Sequence, residues 1–304
     1  MRGVFVNDGW YVAAWSDELT DRPLARTLLG QPVVLSRRSD GTAIAIEAAR
    51  RDCQVVEQQG CIWVWTGDPA RADRATIRDF HWLAHPGWSL TKIHRRVACH
   101  YQLIIDNLLD FAHLADRPSG AVDSPGQVEH AQLQTDRLPD GVRVSRWICD
   151  VPPTHRDREL GKHVGNIDRW QIAEFRAPGT FVIDTGAAKT GTGAADGLPG
   201  DQRWGFMVCH GITPETERTT NYFWALAHAF GTDDRDAVAA FHRQSHLAFD
   251  EDVALFEAQQ RVIDLDPEAP TIDISYDAGP LQARRLIERM IASQEAGAHK
   301  LAQA

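Results

Sequence analysis

Between Val142 and His228 the chain repeats one pattern: strand-like runs of apolar, β-branched and aromatic residues set apart by turn-forming stretches. Val142 to Cys149, Arg169 to Phe175, Thr180 to Asp184, Arg203 to His210 and Asn221 to His228 each read as a strand. Strands joined by short connections pair antiparallel, because a parallel partner needs a long crossover. Thr213-Pro214-Glu215-Thr216-Glu217-Arg218 is expected to connect the last two as a long hairpin, and residues 119–128 and 185–202, rich in Gly, Pro, Ser and Thr, read as surface loops. A helix from about Asp233 to Val262 and an amphipathic one from Pro280 to Ala296 follow. The fold class is therefore α+β, a mainly antiparallel sheet with long helices.

Residues 1–68 form a smaller β module, with strands at Trp10 to Trp15, Pro32 to Ser36, Thr42 to Glu47 and Gly60 to Trp65. Ser39-Asp40-Gly41 is a hairpin turn, since glycine tolerates positive φ. Gly67-Asp68-Pro69 marks a boundary to a second unit over 69–304. A net charge of −10 argues against nucleic acid as a partner, because phosphate binding needs clustered Lys and Arg. Five scattered cysteines with no Cys-x-x-Cys pair suit a reducing compartment. With no signal-peptide core and no apolar run near the roughly 18 residues of a membrane span, a cytoplasmic, unanchored protein is expected.

From Tyr101 to Ala115 the sequence predicts a buried helix, apolar on every side, that nevertheless carries Asp106, Asp110 and His113 at i, i+4 and i+7, with Asn107 beside them. Buried carboxylates are costly unless paired, protonated or metal-bound. Two readings account for the stripe: a catalytic or metal-binding site, or a polar network knitting the helix to the sheet.

Trp10-Tyr11-Val12-Ala13, Ile62 to Asp68, Ile105-Asp106-Asn107-Leu108-Leu109-Asp110-Phe111-Ala112-His113, Asp168-Arg169-Trp170-Gln171, Thr213 to Glu217, Tyr222-Phe223-Trp224, Glu251-Asp252 and Asp277-Ala278-Gly279 occur in one order and spacing. Together they resemble Rieske non-haem-iron oxygenases of the vanillate O-demethylase type, over nearly the whole chain. The resemblance implies a helix-grip (START-like) domain, a curved antiparallel sheet around long helices, with a cavity for a small aromatic compound. It also implies one mononuclear Fe(II), held by two histidines and a carboxylate. His113 and Asp252 match that set, and Asn107 and Asp110 match the catalytic positions beside it. The second histidine does not match, because its place is Pro118; Asp116 is the candidate replacement ligand.

The same resemblance exposes a gap in the N-terminal module. A Rieske cluster needs two thiolates and two imidazoles, in this family as Cys-x-His and Cys-x-x-His. None of Cys53, Cys61, Cys99, Cys149 and Cys209 has a histidine two or three residues later, and only Ala48 to Gln54 lies between the strands that would flank the cluster loops. No 2Fe-2S cluster is expected in this chain, and the module reads as a truncated Rieske-like fold. Electrons would come from a separate Rieske protein or reductase, and the family arrangement implies a homotrimer or hetero-oligomer. The alternative is that His113 and Asp252 form a buried acid–base pair, serving a non-redox hydrolase, lyase or isomerase, or that the cavity belongs to a catalytically silent ligand-binding paralogue. His210 and His228 either line the cavity or are ordinary sheet histidines, and Trp63, Trp65, Trp170 and Trp224 are expected in core packing.

Overall fold

The computed structural model describes residues 4–47, 52–111, 131–198, 200, 202–232, 234–269 and 277–302. In chain order the strands are β1 (Gly9–Trp15), β2 (Leu24–Leu28), β3 (Gln31–Arg37), β4 (Ala43–Glu47), β5 (Val55–Gln58), β6 (Cys61–Thr66) and β7 (Ser89–Val97). After α1 (Tyr101–Leu109) come β8 (Gln132–Leu138), β9 (Gly141–Val151), α2 (His155–Glu159), β10 (Ile167–Arg176), β11 (Thr180–Lys189), β12 (Trp204–Thr216) and β13 (Thr219–His228). Two long helices close the chain, α3 (Arg235–Leu265) and α4 (Ala278–Ala302).

Seven strands make one antiparallel sheet in the order β7-β13-β12-β11-β10-β9-β8. Alternation along each strand gives the sheet two faces. On β10, Ile167, Ala173 and Phe175 join the main core with Phe181 of β11 and Tyr222 and Trp224 of β13, beneath Ile104 and Ile105 of α1, Phe256 of α3 and Ile287 of α4. The opposite face presents Val182, Cys209, Phe223 and Ala225 to Trp10, Val12, Trp63 and Trp65 of the N-terminal β1-β6-β5 sheet. The β1-β6-β5 sheet thus lies against the back of the large sheet, and the second small sheet, β2-β3-β4, adds Leu28, Val33 and Leu35 to the main core.

Turn chemistry sets the ends. Gly41 has φ 86° between β3 and β4, as its place in Ser39-Asp40-Gly41 requires, and the Asp40 carboxylate accepts from the Thr42 amide at 2.9 Å. The α3 helix begins where the Asp234 carboxylate accepts from the Ala237 amide at 3.0 Å. Three expectations are corrected. The helix predicted to Ala115 ends at Leu109, where the Asp110 amide donates back to Asp106 and Asn107 as the C-cap. β11 continues to Lys189, into the predicted loop. β12 runs through Pro214 to Thr216, the register shifting between Pro214 and Thr216 where the missing amide would break the ladder.

Candidate functional site

A cavity of about 120 Å³ opens between the inner sheet face and helices α1 and α3, with α2 at one side. Its apolar lining includes Leu108, Phe111, Ile183, Phe206, Leu226 and Phe249. Its polar lining falls into two groups. One is Asn107 on α1 with Asp252, Gln244 and Ser245 on α3. The other is Arg169 and Gln171 on β10, Thr185 on β11, and Thr154, Arg156 and Asp157 at α2.

Two of the residues singled out from sequence meet on this wall. Asp252 is 4% exposed, turned inward by α3 between Phe249 and Phe256. Asn107 places a buried Oδ1 that accepts no hydrogen bond from the described residues. A buried carboxylate and an orphaned amide oxygen are oxygen donors of the sort a divalent cation accepts. Asp110, the C-cap of α1, is half-buried just beyond the lining. Asp106 turns the other way: the Arg284 guanidinium of α4 donates to it through Nε at 3.0 Å and Nη2 at 2.6 Å. Burial outweighs that partner and raises the carboxyl to about 6. The network at Asp106 therefore ties α1 to α4, not to the sheet as expected. His113, Asp116 and Pro118 lie outside the described residues, and among the described residues no group of three His, Cys, Asp or Glu is placed to hold a metal.

His210 and His228 are inner-face strand residues, both fully buried, and neither lines the cavity. The Tyr222 hydroxyl and His210 Nδ1 share a hydrogen bond at 2.9 Å, and burial pushes the imidazole down to about 3. His228 Nδ1 lies 2.9 Å from the Phe230 carbonyl, and its Nε2 lies 3.1 Å from His242 Nε2. Trp63 and Trp65 pack in the outer core and Trp224 in the inner one. All five cysteines are free, and burial raises the Cys61 thiol to about 12. Cys61 packs as a small apolar side chain in the outer core.

The arginines, the glutamine and the α2 residues were missed by sequence reasoning. One signal was available: on β10, Arg169 and Gln171 occupy the inward register of Ile167, Ala173 and Phe175, and a polar pair on the apolar side of a strand is unusual unless it faces a cavity.

An antiparallel sheet packed against long helices, with a mixed apolar and polar cavity between them, defines an α+β domain. The sequence profile of the vanillate O-demethylase oxygenase C-terminal domain matches residues 97–293, and the chain belongs to that family. It is 30% identical to a putative toluene-4-sulfonate monooxygenase system iron-sulfur subunit of Comamonas testosteroni, covering 97% of this chain and 99% of that protein. It is 28% identical to a vanillate O-demethylase oxygenase subunit of a Pseudomonas strain, over 97% of each. In fold it is similar to dicamba monooxygenase bound to 3,6-dichlorosalicylic acid, with a TM-score of 0.84 at 24% identity over 96% of this chain and 99% of that one. The alignment to the toluene-4-sulfonate subunit spans 344 residues, to which 97% of a 304-residue chain contributes only about 295, so roughly fifty of its positions have no counterpart here. Among the described residues no helix is long and apolar enough to cross a membrane.

Proposed function

We propose that this chain is a divergent oxygenase component that binds a small aromatic compound in the inner-face cavity and has no iron–sulfur cluster of its own. The observation that carries this reading is the cavity wall, where buried Asp252 and Asn107 stand beside aromatic and aliphatic side chains. The roughly fifty absent positions are assigned to the connection between β4 and β5, where only residues 48–54 remain and the Cys53 amide already donates to the Ala45 carbonyl at 3.0 Å.

Asp252 and His113, with Asp116 in place of the second imidazole, would hold one Fe(II), a mixed nitrogen and oxygen donor set suited to that ion. When bound, it would supply oxygen chemistry for hydroxylation or demethylation. The chain's own part would be to bind the ring and exclude water with Phe206, Leu226 and Phe249, to hold the Asp252 carboxylate on α3 in the same wall as Asn107, and to carry Asp110 at the end of α1. Electrons would be delivered in the cytoplasm by a separate Rieske protein or reductase, within a homotrimer or hetero-oligomer. Pro118 where the family has histidine favours a second reading, in which the same cavity serves oxygen-independent chemistry or binding alone.

The test is elemental analysis of protein purified anaerobically after iron-replete growth, beside His113→Ala and Asp252→Ala. About one iron per chain, lost in both variants, is the expected result. Wild-type protein without iron would overturn the oxygenase reading and leave the second.

A further inference from the structure

Away from the cavity, two imidazoles meet nitrogen to nitrogen. His228 ends β13 and is fully buried, and His242 lies about two turns into α3, half-buried. Their Nε2 atoms are 3.1 Å apart and the ring planes cross at 74°. His228 Nδ1 stands 2.9 Å from the Phe230 carbonyl oxygen. A carbonyl only accepts, so the proton of a neutral His228 sits on Nδ1, and Nε2 turns a lone pair towards His242. Burial holds His228 below its ordinary value, and burial together with the neighbouring His228 and His246 pushes His242 down to about 4. Near neutral pH both rings are uncharged, which is the form that ligates a metal.

An imidazole tied through Nδ1–H to a backbone carbonyl, with Nε2 facing a shared space, is how metal-bound histidines are held, because the outer hydrogen bond sets both tautomer and ring direction. The separation fits as well. Two nitrogens 3.1 Å apart, each about 2.0–2.1 Å from one zinc ion, subtend roughly 100° at the metal, between the octahedral right angle and the tetrahedral angle. Phe230 and Phe241 close one side, with ring centroids 4.4 and 5.2 Å from that of His228. The partial exposure of His242 gives access from solvent. Among the described residues no third His, Cys, Asp or Glu joins the pair, and His246, one turn further along α3, has its Nε2 2.7 Å from the Thr91 hydroxyl. Water therefore completes the shell. A pair of imidazoles without a carboxylate selects an ion that prefers nitrogen, as zinc does, over calcium or magnesium.

We propose that His228 and His242 form a zinc-binding site that ties the first part of α3 to the end of β13. It is separate from the candidate iron site. Neither histidine lines the cavity, and Asp252 is ten residues further along α3, about 15 Å along its axis. It is nevertheless linked to the cavity wall, because Gln244 and Ser245 project into the cavity from the turn of α3 that follows His242. An ion on His242 fixes the stretch of helix that carries them.

The experiment is titration calorimetry of the metal-free full chain with Zn²⁺, beside His228→Gln, His242→Gln and Asp252→Ala, with thermal melts of each. Expected is a zinc-binding event in the wild type that is lost, or weakened at least about tenfold, in both histidine variants and kept in Asp252→Ala. Zinc at about a hundredfold excess over Kd raises the melting temperature of the wild type by about 5 °C more than that of His242→Gln. His242 is partly exposed, so His242→Gln decides should His228→Gln fail to fold. The same zinc stoichiometry and affinity in His242→Gln as in the wild type would overturn the site and leave a hydrogen bond between the two rings. A zinc event lost only in Asp252→Ala would put the ion at the cavity wall and overturn it equally, as would no zinc binding to the wild type.

Discussion

The two faces of the seven-stranded sheet are built from alternate residues of the same strands and have different tasks. On the outer face, Val182, Cys209, Phe223 and Ala225 are sealed by the tryptophans of β1 and β6 into a continuous apolar core. On the inner face the core is interrupted by a cavity with a carboxylate, an amide oxygen and the polar side chains of β10, β11 and α2. The outer face is closed by packing alone, whereas the inner face leaves room beside polar side chains. In the N-terminal module neither Cys53 nor Cys61 is followed two or three residues later by a histidine, and its strands β1 and β6 pack on the back of the sheet that carries the cavity.

The largest expected effect breaks the outer face. Trp63 is 1% exposed and packs on Phe80 with ring centroids 5.6 Å apart. Trp63→Ala is expected to cost about 3 to 5 kcal/mol in urea unfolding, the usual result of emptying a tryptophan site in a closed core. Loss of less than about 1 kcal/mol would mean that the module is not part of the cooperative unit.

Next comes the tie between α1 and α4. Arg284→Ala removes the guanidinium that faces Asp106 and is expected to destabilise by about 2 kcal/mol at pH 7, reduced from a fully buried pair because Arg284 is partly exposed. The penalty is smaller at pH 5, below the raised Asp106 value of about 6, where the stranded carboxyl is protonated.

The pH profile sharpens the inner-face account. His210 titrates near 6.5 when unfolded and near 3 when buried, so the unfolded chain takes up the extra proton and stability is lost as pH falls from 6.5 towards 3. Asp106, raised from 3.8 to about 6, acts with the opposite sign, holding its proton in the folded state and losing stability as pH rises between those values. His210→Gln should therefore flatten the acid limb of unfolding free energy against pH by about one proton, and Asp106→Asn should steepen it. The smallest effect is at the rim of the module. Arg71 is mostly exposed beside Asp8, and Arg71→Ala should change stability by less than about 0.5 kcal/mol.

Much of this architecture was legible in the alternation of Val142 to His228, where apolar residues facing both the helices and the N-terminal sheet make nearly every strand strongly hydrophobic. The edge strands were not. In β7 and β8, Ser89–Val97 and Gln132–Leu138, charged and polar residues fall on both faces, because an edge needs less burial and its pattern fades. The end of α1 was misplaced because Asp110 looks like a continuation of the Asp106 stripe, whereas its extended backbone caps the helix. At the site, Asn107 and Asp252 could be found from motif spacing. Arg156, Asp157, Arg169, Gln171 and Thr185 converge only when two strands and a short helix come together, and register is a property of pairing that no single segment carries.

The measurement that tests the cluster-free reading of the N-terminal module most directly is acid-labile sulfide per chain, with electron paramagnetic resonance of the dithionite-reduced protein after anaerobic, iron-replete preparation. A Rieske cluster contributes two bridging sulfides and a paramagnetic reduced state. No labile sulfide and no cluster signal are expected, with iron at no more than about one per chain. About two sulfides per chain with a reduced-cluster signal would contradict that reading.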